Sequence, residues 1–201
     1  MRIGIFGGTF NPIHNTHILI ALAAKEQLCL DKVLFVVACN PPHKADMDVL
    51  DANVRYEIVQ NALEKYPFFE ASAIEINRQG KSYTYLTLCD LKKIYPQDEL
   101  FFLVGGDSLS YMDKWYRAKD LMTMCTFVVY PRGIDSGMNL QKECDALRLN
   151  YGADCIILNA ETDDVSSTEI RQLSHDGKDI SDAVPGVVAD YIAEHELYKE
   201  E

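Results

Sequence analysis

Five short runs of apolar, β-branched and aromatic residues recur along the chain, with helix-like stretches between them. The runs are continuous rather than alternating, which is typical of strands that are covered on both faces. Strands that alternate with helices at this spacing pair in parallel through right-handed crossovers. The pattern therefore predicts an α/β fold, a three-layer sandwich around a mainly parallel central sheet. We expect strands at residues 3–6, 33–37, 100–104, 126–130 and 155–158, and helices at about residues 15–29, 51–65, 82–95, 139–150 and 186–195.

Length and charge narrow the class of protein further. The 201 residues, 48% of them hydrophobic, are enough to bury one sizeable core, so we expect a single domain over residues 1–201. No apolar run reaches the roughly 18 to 20 residues of a membrane span, and the chain starts with a strand-like stretch rather than a signal peptide. A cytoplasmic protein is therefore expected. The net charge of -12 disfavours nucleic acid and anionic membranes as partners.

The six cysteines are scattered along the chain, and none forms a Cys-x-x-Cys pair. Several of them, including Cys39 and Cys155, lie within apolar runs. This distribution predicts reduced, mostly buried packing residues rather than a metal site or a disulfide framework.

A glycine-rich turn, Gly7-Gly8-Thr9-Phe10-Asn11-Pro12, follows the first expected strand. The glycines let backbone N–H groups approach an anion without obstruction by a Cβ atom. A helix is expected to begin near Asn15, and its positive end would face the same anion. His14 and His17 are three residues apart, so they can reach one phosphate from one face of that helix. Taken separately, these features also fit an ordinary turn or half of a metal site, but no Cys or carboxylate at ligand spacing completes a metal site.

Residues 7–17 resemble the phosphate-binding signature Gly-Gly-x-Phe-Asp-Pro-x-His-x-Gly-His of the adenylyltransferase and cytidylyltransferase superfamily. The resemblance implies a Rossmann-like fold and a nucleotidyltransferase. Two residues depart from the signature, since Asn11 replaces an acidic residue and Thr16 replaces a glycine. These departures leave open how closely a nucleotide packs against the helix.

A second motif, Ser166-Ser167-Thr168-Glu169-Ile170-Arg171, precedes the end of the chain. Ser166 and Glu169 fit a capping box, and Arg171 offers a planar fork of donors that suits phosphate. By itself the motif also fits a well-capped surface helix. In the superfamily that the chain resembles, this pattern closes over the phosphates of ATP, and we expect closing helices at about residues 165–198.

Further segments are similar to those of the bacterial nicotinate-nucleotide adenylyltransferases. They are Pro41-Pro42-His43-Lys44, the Glu-x-x-Arg-x-Gly-x-Ser-Tyr-Thr pattern at residues 75–84, Gly105-Gly106-Asp107-Ser108 and Lys114-Trp115-Tyr116. From the residues alone, Lys44 could equally be a solvated lysine, Asp107 a helix N-cap and Trp115 a core residue. The resemblance implies that Lys44 approaches phosphate, that Trp115 stacks on a pyridine ring, and that backbone amides near Thr84 and Tyr116 receive a carboxylate. A carboxylate that directly follows a strand of this fold, as Asp107 is expected to do, is well placed to accept hydrogen bonds from ribose hydroxyls.

The implied reaction transfers AMP from ATP to nicotinate mononucleotide and yields deamido-NAD and pyrophosphate, a step of NAD biosynthesis. The expected catalytic residues are His14, His17, Lys44 and Arg171. The expected ATP-binding residues are Gly7, Gly8, Thr9, Phe10, Asn11, Gly106, Asp107, Arg132, Ser166, Ser167 and Thr168. The expected substrate-binding residues are Lys44, Thr84, Trp115 and Tyr116. Mg²⁺ is the expected cofactor, bound through the ATP phosphates.

Two alternatives stay open at this point. The chain could be an adenylyltransferase for nicotinamide mononucleotide, phosphopantetheine or FMN, or it could be a non-catalytic nucleotide sensor. Assembly into a homo-oligomer and the strength of the preference for nicotinate over nicotinamide are also left open by the sequence.

Overall fold

The computed structural model describes residues 1–41, 49–131, 137–160 and 165–199. Within these residues, six strands form one sheet in the order β3-β2-β1-β4-β5-β6, and every neighbouring pair is parallel. The strands are β1 (Arg2–Gly8), β2 (Lys32–Val37), β3 (Phe69–Ser72), β4 (Glu99–Gly105), β5 (Thr126–Tyr130) and β6 (Asp154–Ile157). The predicted α/β fold with a parallel sheet is confirmed.

Helices lie between successive strands along most of the chain. They are α1 (Asn15–Gln27), α2 (Ala52–Leu63), α3 (Ile74–Arg78), α4 (Thr84–Ile94), α5 (Ala118–Leu121), α6 (Gly137–Tyr151), α7 (Ser167–His175) and α8 (Gly186–Glu194), together with a 3-10 helix at Gly106–Lys114. Across the described parts of the chain, every helix is too short or too polar to cross a lipid bilayer.

The two faces of the sheet support two separate apolar cores, because successive strand residues point to opposite faces. On β1, Phe6 packs with α1, α2, α7 and α8, whereas Ile3 and Ile5 pack with α4, α5, α6 and the 3-10 helix. The result is the three-layer, Rossmann-like sandwich that the sequence predicts.

The sheet reverses its strand order beside β1, and this reversal positions the site. β1 pairs with β2 on one side and with β4 on the other, so the chain leaves the two central strands in different directions. In sheets of this kind the crevice beyond the carboxyl ends of the strands at such a point binds ligands. Here that crevice opens between the ends of β1 and β4.

Several details of the sequence prediction are wrong. The prediction missed β3, α3, the 3-10 helix and α5, and the edge strand β6 is partly exposed instead of covered on both faces. α4 begins at Thr84 rather than at residue 82: Tyr83 is its N-cap residue, and the Ser82 Oγ accepts a hydrogen bond from the Asn40 backbone N–H at 3.1 Å. All six cysteines are free, as expected, but only Cys144 is buried.

Candidate active site

A cleft of about 600 Å³ lies beyond the carboxyl ends of β1 and β4. The strand ends, α3, α4 and the 3-10 helix contribute to its lining, which includes seven of the predicted site residues: Gly7, Gly8, Thr9, Thr84, Asp107, Trp115 and Tyr116. The cleft therefore brings together residues that are more than a hundred positions apart in the sequence.

The glycine-rich turn forms one end of the cleft. A Cβ atom on Gly8 would lie 2.7 Å from the ring of Phe10, so only glycine allows the turn to close this tightly. Phe10 is buried, and its backbone has the left-handed φ of 47°, a conformation that a bulky residue adopts only when its surroundings enforce it. The turn is thus tightly packed on one side, and its residues Gly7, Gly8 and Thr9 line the cleft on the other.

The two histidines lie together just after this turn, at the start of α1. Their rings are 3.7 Å apart between centroids, and the His14 backbone N–H donates to His17 Nδ1 at 3.2 Å. An imidazole whose Nδ1 accepts a hydrogen bond carries its proton on Nε2. His17 also packs edge-on against Phe10, with 5.1 Å between ring centroids. The contacts fix His17 as a hydrogen-bond donor through Nε2.

Thr16, which departs from the superfamily signature, lies between the two histidines. It is only 7% exposed. Its methyl and hydroxyl groups therefore lie within the packed interior rather than on an open surface of α1.

Helix α7 is fastened to the same turn by its first residues. Ser166 is the N-cap and accepts from the Glu169 backbone N–H at 3.2 Å, as the sequence predicts. The Ser167 hydroxyl donates to the Pro12 carbonyl at 2.9 Å, and Arg171 Nη1 donates to the Asn11 carbonyl at 2.9 Å. The two predicted anion motifs therefore meet in space.

Asn11 is buried behind the turn, where its side chain is an acceptor. Its Oδ1 accepts from the Tyr198 hydroxyl at 3.0 Å and from the Leu50 backbone N–H at 3.4 Å. An amide oxygen serves both donors without the cost of burying an ionised carboxylate. The substitution of Asn for the acidic residue of the signature is thus accommodated by the packing.

Asp107 approaches the cleft on the opposite side, from the first turn of the 3-10 helix. A Cβ atom on Gly105 would collide with the Asp107 carboxylate, so the end of β4 must be glycine for the carboxylate to fold back over it. Gly106 is buried under Leu140 of α6 and does not line the cleft.

Aromatic side chains surround the far end of the cleft. The rings of Tyr83 and Tyr116 stack with centroids 4.6 Å apart and planes 22° apart. Trp115 packs edge-on against Phe102, and its buried Nε1 has no hydrogen-bond partner among the described residues. This end offers flat apolar surfaces together with an unused donor, a combination that suits a heteroaromatic ring.

The N-terminus of α4 opens into the same end of the cleft. Its N-cap residue, Tyr83, makes no side-chain hydrogen bond to the helix, and Thr84 lines the cleft. The first N–H groups of a helix have no partner within the helix and carry a partial positive charge. They can receive a carboxylate or a phosphate.

A buried polar network supports this helix from behind. The Thr87 hydroxyl donates to Glu75 Oε1 through a short hydrogen bond and accepts from Arg78 Nη1 at 3.3 Å. Arg78 also pairs with Asp90 at 3.1 Å. Hydrogen bonds from Lys93 and, to a smaller extent, from Arg78 hold the pKa of Asp90 below its ordinary value. The other carboxylate oxygen of Glu75 is buried without a partner in the described residues, and Glu75 lines the cleft.

Not every predicted site residue lines the cleft. Lys44 and Arg132 lie outside the described residues. Gly106 lies beneath Leu140, and the remaining members, Phe10, Asn11, His14, His17, Ser166, Ser167, Thr168 and Arg171, lie in, behind or beside the turn.

Sequence reasoning missed several residues that line the cleft, among them Glu75, Tyr83, Tyr111 and Lys114. Glu75 and Tyr83 belong to the motif at residues 75–84, so the signal was present but carried no role for them. Lys114 adds a cation to the cleft, beside the predicted Trp115.

Comparison with known proteins agrees with this geometry. The cytidylyltransferase-like family model matches residues 5–173. Two Clostridium botulinum proteins described as "Probable nicotinate-nucleotide adenylyltransferase" are similar over almost their whole length. The protein of strain Kyoto is 39% identical over 196 residues, 97% of this chain and 98% of the relative. The protein of strain Eklund 17B is 41% identical over 200 residues, 100% of this chain and 99% of the relative.

Solved structures share the fold. The Plasmodium falciparum nicotinic acid mononucleotide adenylyltransferase complexed with NaAD matches with a TM-score of 0.79 at 19% identity, over 98% of this chain and 97% of that one. Its complex with APC matches with a TM-score of 0.77 at 18% identity, over 98% and 96% of the two chains. From the family model and the full-length relatives, the chain belongs to the cytidylyltransferase-like family and, within it, to the nicotinate-nucleotide adenylyltransferases.

Proposed function

We propose that this enzyme transfers AMP from ATP to nicotinate mononucleotide, giving deamido-NAD and pyrophosphate in NAD biosynthesis. One observation carries the proposal. A single cleft joins a glycine-rich turn to an uncapped helix N-terminus that is surrounded by aromatic rings. The first end suits a nucleotide phosphate, and the second suits an aromatic ring that bears a carboxylate.

The chemistry requires no general base, because the attacking group is already an anionic phosphate oxygen. An oxygen of the mononucleotide phosphate forms a bond to the α-phosphorus of ATP. The bond from that phosphorus to the bridging oxygen breaks, and pyrophosphate leaves with the electron pair. The protein must therefore align the two reactants and neutralise the charge that develops on the phosphates.

The proposed roles follow from the contacts around the turn. His17, held as a donor through Nε2, and His14 stabilise the phosphate that is transferred. Arg171 stands beside the turn at Asn11 and binds a flanking phosphate, together with Lys44 and Arg132. The backbone of Gly7, Gly8, Thr9 and Phe10 and the hydroxyl groups of Ser166, Ser167 and Thr168 cradle the triphosphate, while the carboxylate of Asp107 faces the ribose.

The mononucleotide occupies the aromatic end of the cleft in this proposal. The nicotinate carboxylate accepts from the backbone N–H groups at Thr84 and Tyr116, and its ring stacks on Trp115. A nicotinamide group lacks the negative charge that the start of α4 attracts, so the acid is the expected substrate.

Mg²⁺ is proposed to enter with ATP, held by phosphate oxygens and water. In the described segments, no three His, Cys, Asp or Glu side chains come together as an ion-binding group. Among the described residues, Asp107 and Glu75 are the carboxylates that line the cleft, which fits an ion held mainly by phosphate oxygens. The six free cysteines fit the proposed cytoplasmic location, where thiols stay reduced.

Pyrophosphate release tests the function directly. The purified protein is incubated with Mg²⁺, ATP and one acceptor at a time: nicotinate mononucleotide, nicotinamide mononucleotide, phosphopantetheine or FMN. We expect release with the nicotinate compound and a much lower kcat/KM with the others. Faster release with another acceptor would reassign the substrate, and ATP binding without release by any acceptor would indicate a nucleotide sensor.

A further inference from the structure

Arg55 is a buried cation for which the family motifs assign no role. It lies on the inner face of α2 with Ile58, Val59 and Ala62, and only 1% of its surface is exposed. It is the largest side chain that the described part of the protein buries completely. Burying a charged group is costly unless hydrogen bonds or opposite charges compensate it, so its position requires an explanation.

The bonds of Arg55 go to backbone carbonyls rather than to carboxylates. Nη1 donates to the Thr9 carbonyl at 2.6 Å, and Nε donates to the Leu50 carbonyl at 2.8 Å. Over the described residues, no carboxylate forms an ion pair with it. Burial lowers the pKa of Arg55, but a guanidinium in a protein stays protonated. Among the described residues, its charge is compensated by the two carbonyls and, at longer range, by the Asp51 carboxylate.

Arg55 fixes the orientation of the glycine-rich turn. In a trans peptide the C=O and the following N–H point in opposite directions. Because Arg55 holds the Thr9 carbonyl, the N–H of Phe10 is directed away from Arg55. The same bond helps to hold Phe10 at its left-handed φ of 47°.

Leu50, the second residue whose carbonyl Arg55 binds, also contacts the turn. The Leu50 backbone N–H donates to Asn11 Oδ1 at 3.4 Å, while the Leu50 carbonyl accepts from Arg55. Arg55 thus connects Thr9 directly, and Asn11 through Leu50, to the start of α2.

We propose that Arg55 is a positioning residue for the ATP phosphates. It aims the amides of the turn at the triphosphate and places a buried positive charge directly behind them. This inference rests on the proposed function, because it assigns the turn to ATP. Buried charge is screened little by salt, so its contribution persists at physiological ionic strength.

The test compares kinetic constants for the two substrates in Arg55→Met and Arg55→Lys. Losing a hydrogen bond from a charged donor should reduce kcat/KM for ATP by about 10- to 100-fold in Arg55→Met. The KM for nicotinate mononucleotide should stay within about threefold of the wild-type value. Arg55→Lys keeps the charge and one donor, so it should recover part of the loss.

A second arginine provides the matched comparison. Arg78→Met removes a part-buried arginine at the nicotinate end, so it should raise the KM for nicotinate mononucleotide and leave the KM for ATP near the wild-type value. Arg148→Met removes an exposed arginine that does not line the cleft and should change neither constant. Such a reciprocal pattern cannot result from general destabilisation.

Calorimetric binding of ATP and of pyrophosphate separates this inference from the proposed function. If the wild type does not release pyrophosphate, the function fails, but weaker binding of both ligands to Arg55→Met still supports the role of Arg55. The inference is overturned if a folded Arg55→Met variant binds ATP like the wild type, or loses affinity for both substrates equally. If Arg55→Met does not fold, the same criteria apply to Arg55→Lys.

Discussion

Contacts within the protein set the orientation and the tautomer of a functional side chain in this site. His17 illustrates this at the scale of a single residue. Its Nδ1 accepts from the backbone of His14, and its ring packs against Phe10 and Phe6. The tautomer is therefore set before substrate binds, which is the kind of preorganisation that makes a donor effective in a transition state.

Replacing His17 by alanine should lower kcat by roughly a hundredfold or more, the scale for losing a positioned transition-state donor. Circular dichroism and thermal unfolding should show an intact fold. His195→Ala is the control, because that histidine packs on Tyr191 at the end of α8, away from the cleft. A His17→Ala variant with near-normal turnover would remove this residue from the mechanism.

Thr87 is expected to set the affinity of the cleft for nicotinate mononucleotide without contacting the phosphates that react. Thr87→Val has nearly the same shape but removes the hydroxyl that links Glu75 to Arg78, and so loosens the start of α4. We expect the KM for nicotinate mononucleotide to rise about tenfold, from loss of a hydrogen bond to a charged group, with little change in the KM for ATP.

The matched control is Thr87→Ser, which keeps the hydroxyl and should behave like the wild type. Steady-state kinetics with each substrate varied in turn measures both constants. Equal effects on the two KM values would mean that Thr87 only stabilises the fold.

For single residues, the sequence located those that belong to recognisable motifs and missed those that do not. Gly7, Asp107 and Trp115 belong to recognisable segments and line one cleft, although their roles stay predictions. Arg55 lies in no such segment, and its signal was its helical spacing of three from Ile58 and seven from Ala62. A cation at a core position of a helix could have been noticed, but its partners, two carbonyls from other segments, depend on tertiary structure.

Among the elements, α2 connects the core to the phosphate-binding turn. Asp51 caps the helix by accepting from the Asn53 backbone N–H at 2.8 Å, and the preceding residue, Leu50, contacts both Asn11 and Arg55. A change at the start of α2 should therefore affect stability directly and the turn indirectly.

We expect Asp51→Ala to lower the free energy of unfolding by about 1 kcal/mol at neutral pH, the usual cost of losing an N-cap. Hydrogen bonds from Asn53 hold the pKa of Asp51 below its ordinary value of 3.8. The carboxylate therefore stabilises the fold fully above that value, and its contribution is lost as the pH falls through the lower folded-state pKa.

Urea unfolding of the wild type, Asp51→Ala and Asp51→Ser measures this contribution at neutral and acidic pH. Serine also caps a helix but does not titrate. The difference between wild type and Asp51→Ala should shrink on acidification, whereas the difference between Asp51→Ser and Asp51→Ala should persist. If the difference between wild type and Asp51→Ala does not change with pH, the charge of Asp51 contributes nothing.

Elements with a continuous apolar run or a buried stripe were predictable from the sequence, and most short ones were not. β1, β2, β4 and β5 agree with the prediction because each is a buried run, and the four-residue edge strand β6 was found from its apolar run although the strand is partly exposed. β3 has only four residues and α5 also has four, too few to show a period. They form because the neighbouring β2 and the 3-10 helix provide partners, and this information lies elsewhere in the chain.

For the whole molecule, the sequence predicts parallel layers but cannot fix the strand order. That order depends on which faces of the helices find partners, and it places β1 between β2 and β4. With β1 at the centre, the turn at residues 7–12 leads from the middle of the sheet into α1, and α7 holds its Asn11 and Pro12 carbonyls. A ligand bound in the cleft beyond β1 and β4 should therefore stabilise the fold as a unit.

ATP with Mg²⁺ should therefore raise the melting temperature of the entire protein in a single transition. At a free concentration of about 100 times Kd, binding to the folded state alone adds about 2.7 kcal/mol. For a chain of this size that corresponds to a rise of about 5 to 10 °C.

CTP at the same concentration should give a smaller shift if the cleft selects adenine, and Arg148→Met should respond to ATP like the wild type. Differential scanning calorimetry measures these shifts. An ATP-independent melting temperature would exclude the cleft as a nucleotide site, and a shift confined to one of two transitions would contradict the coupling of the layers through the turn.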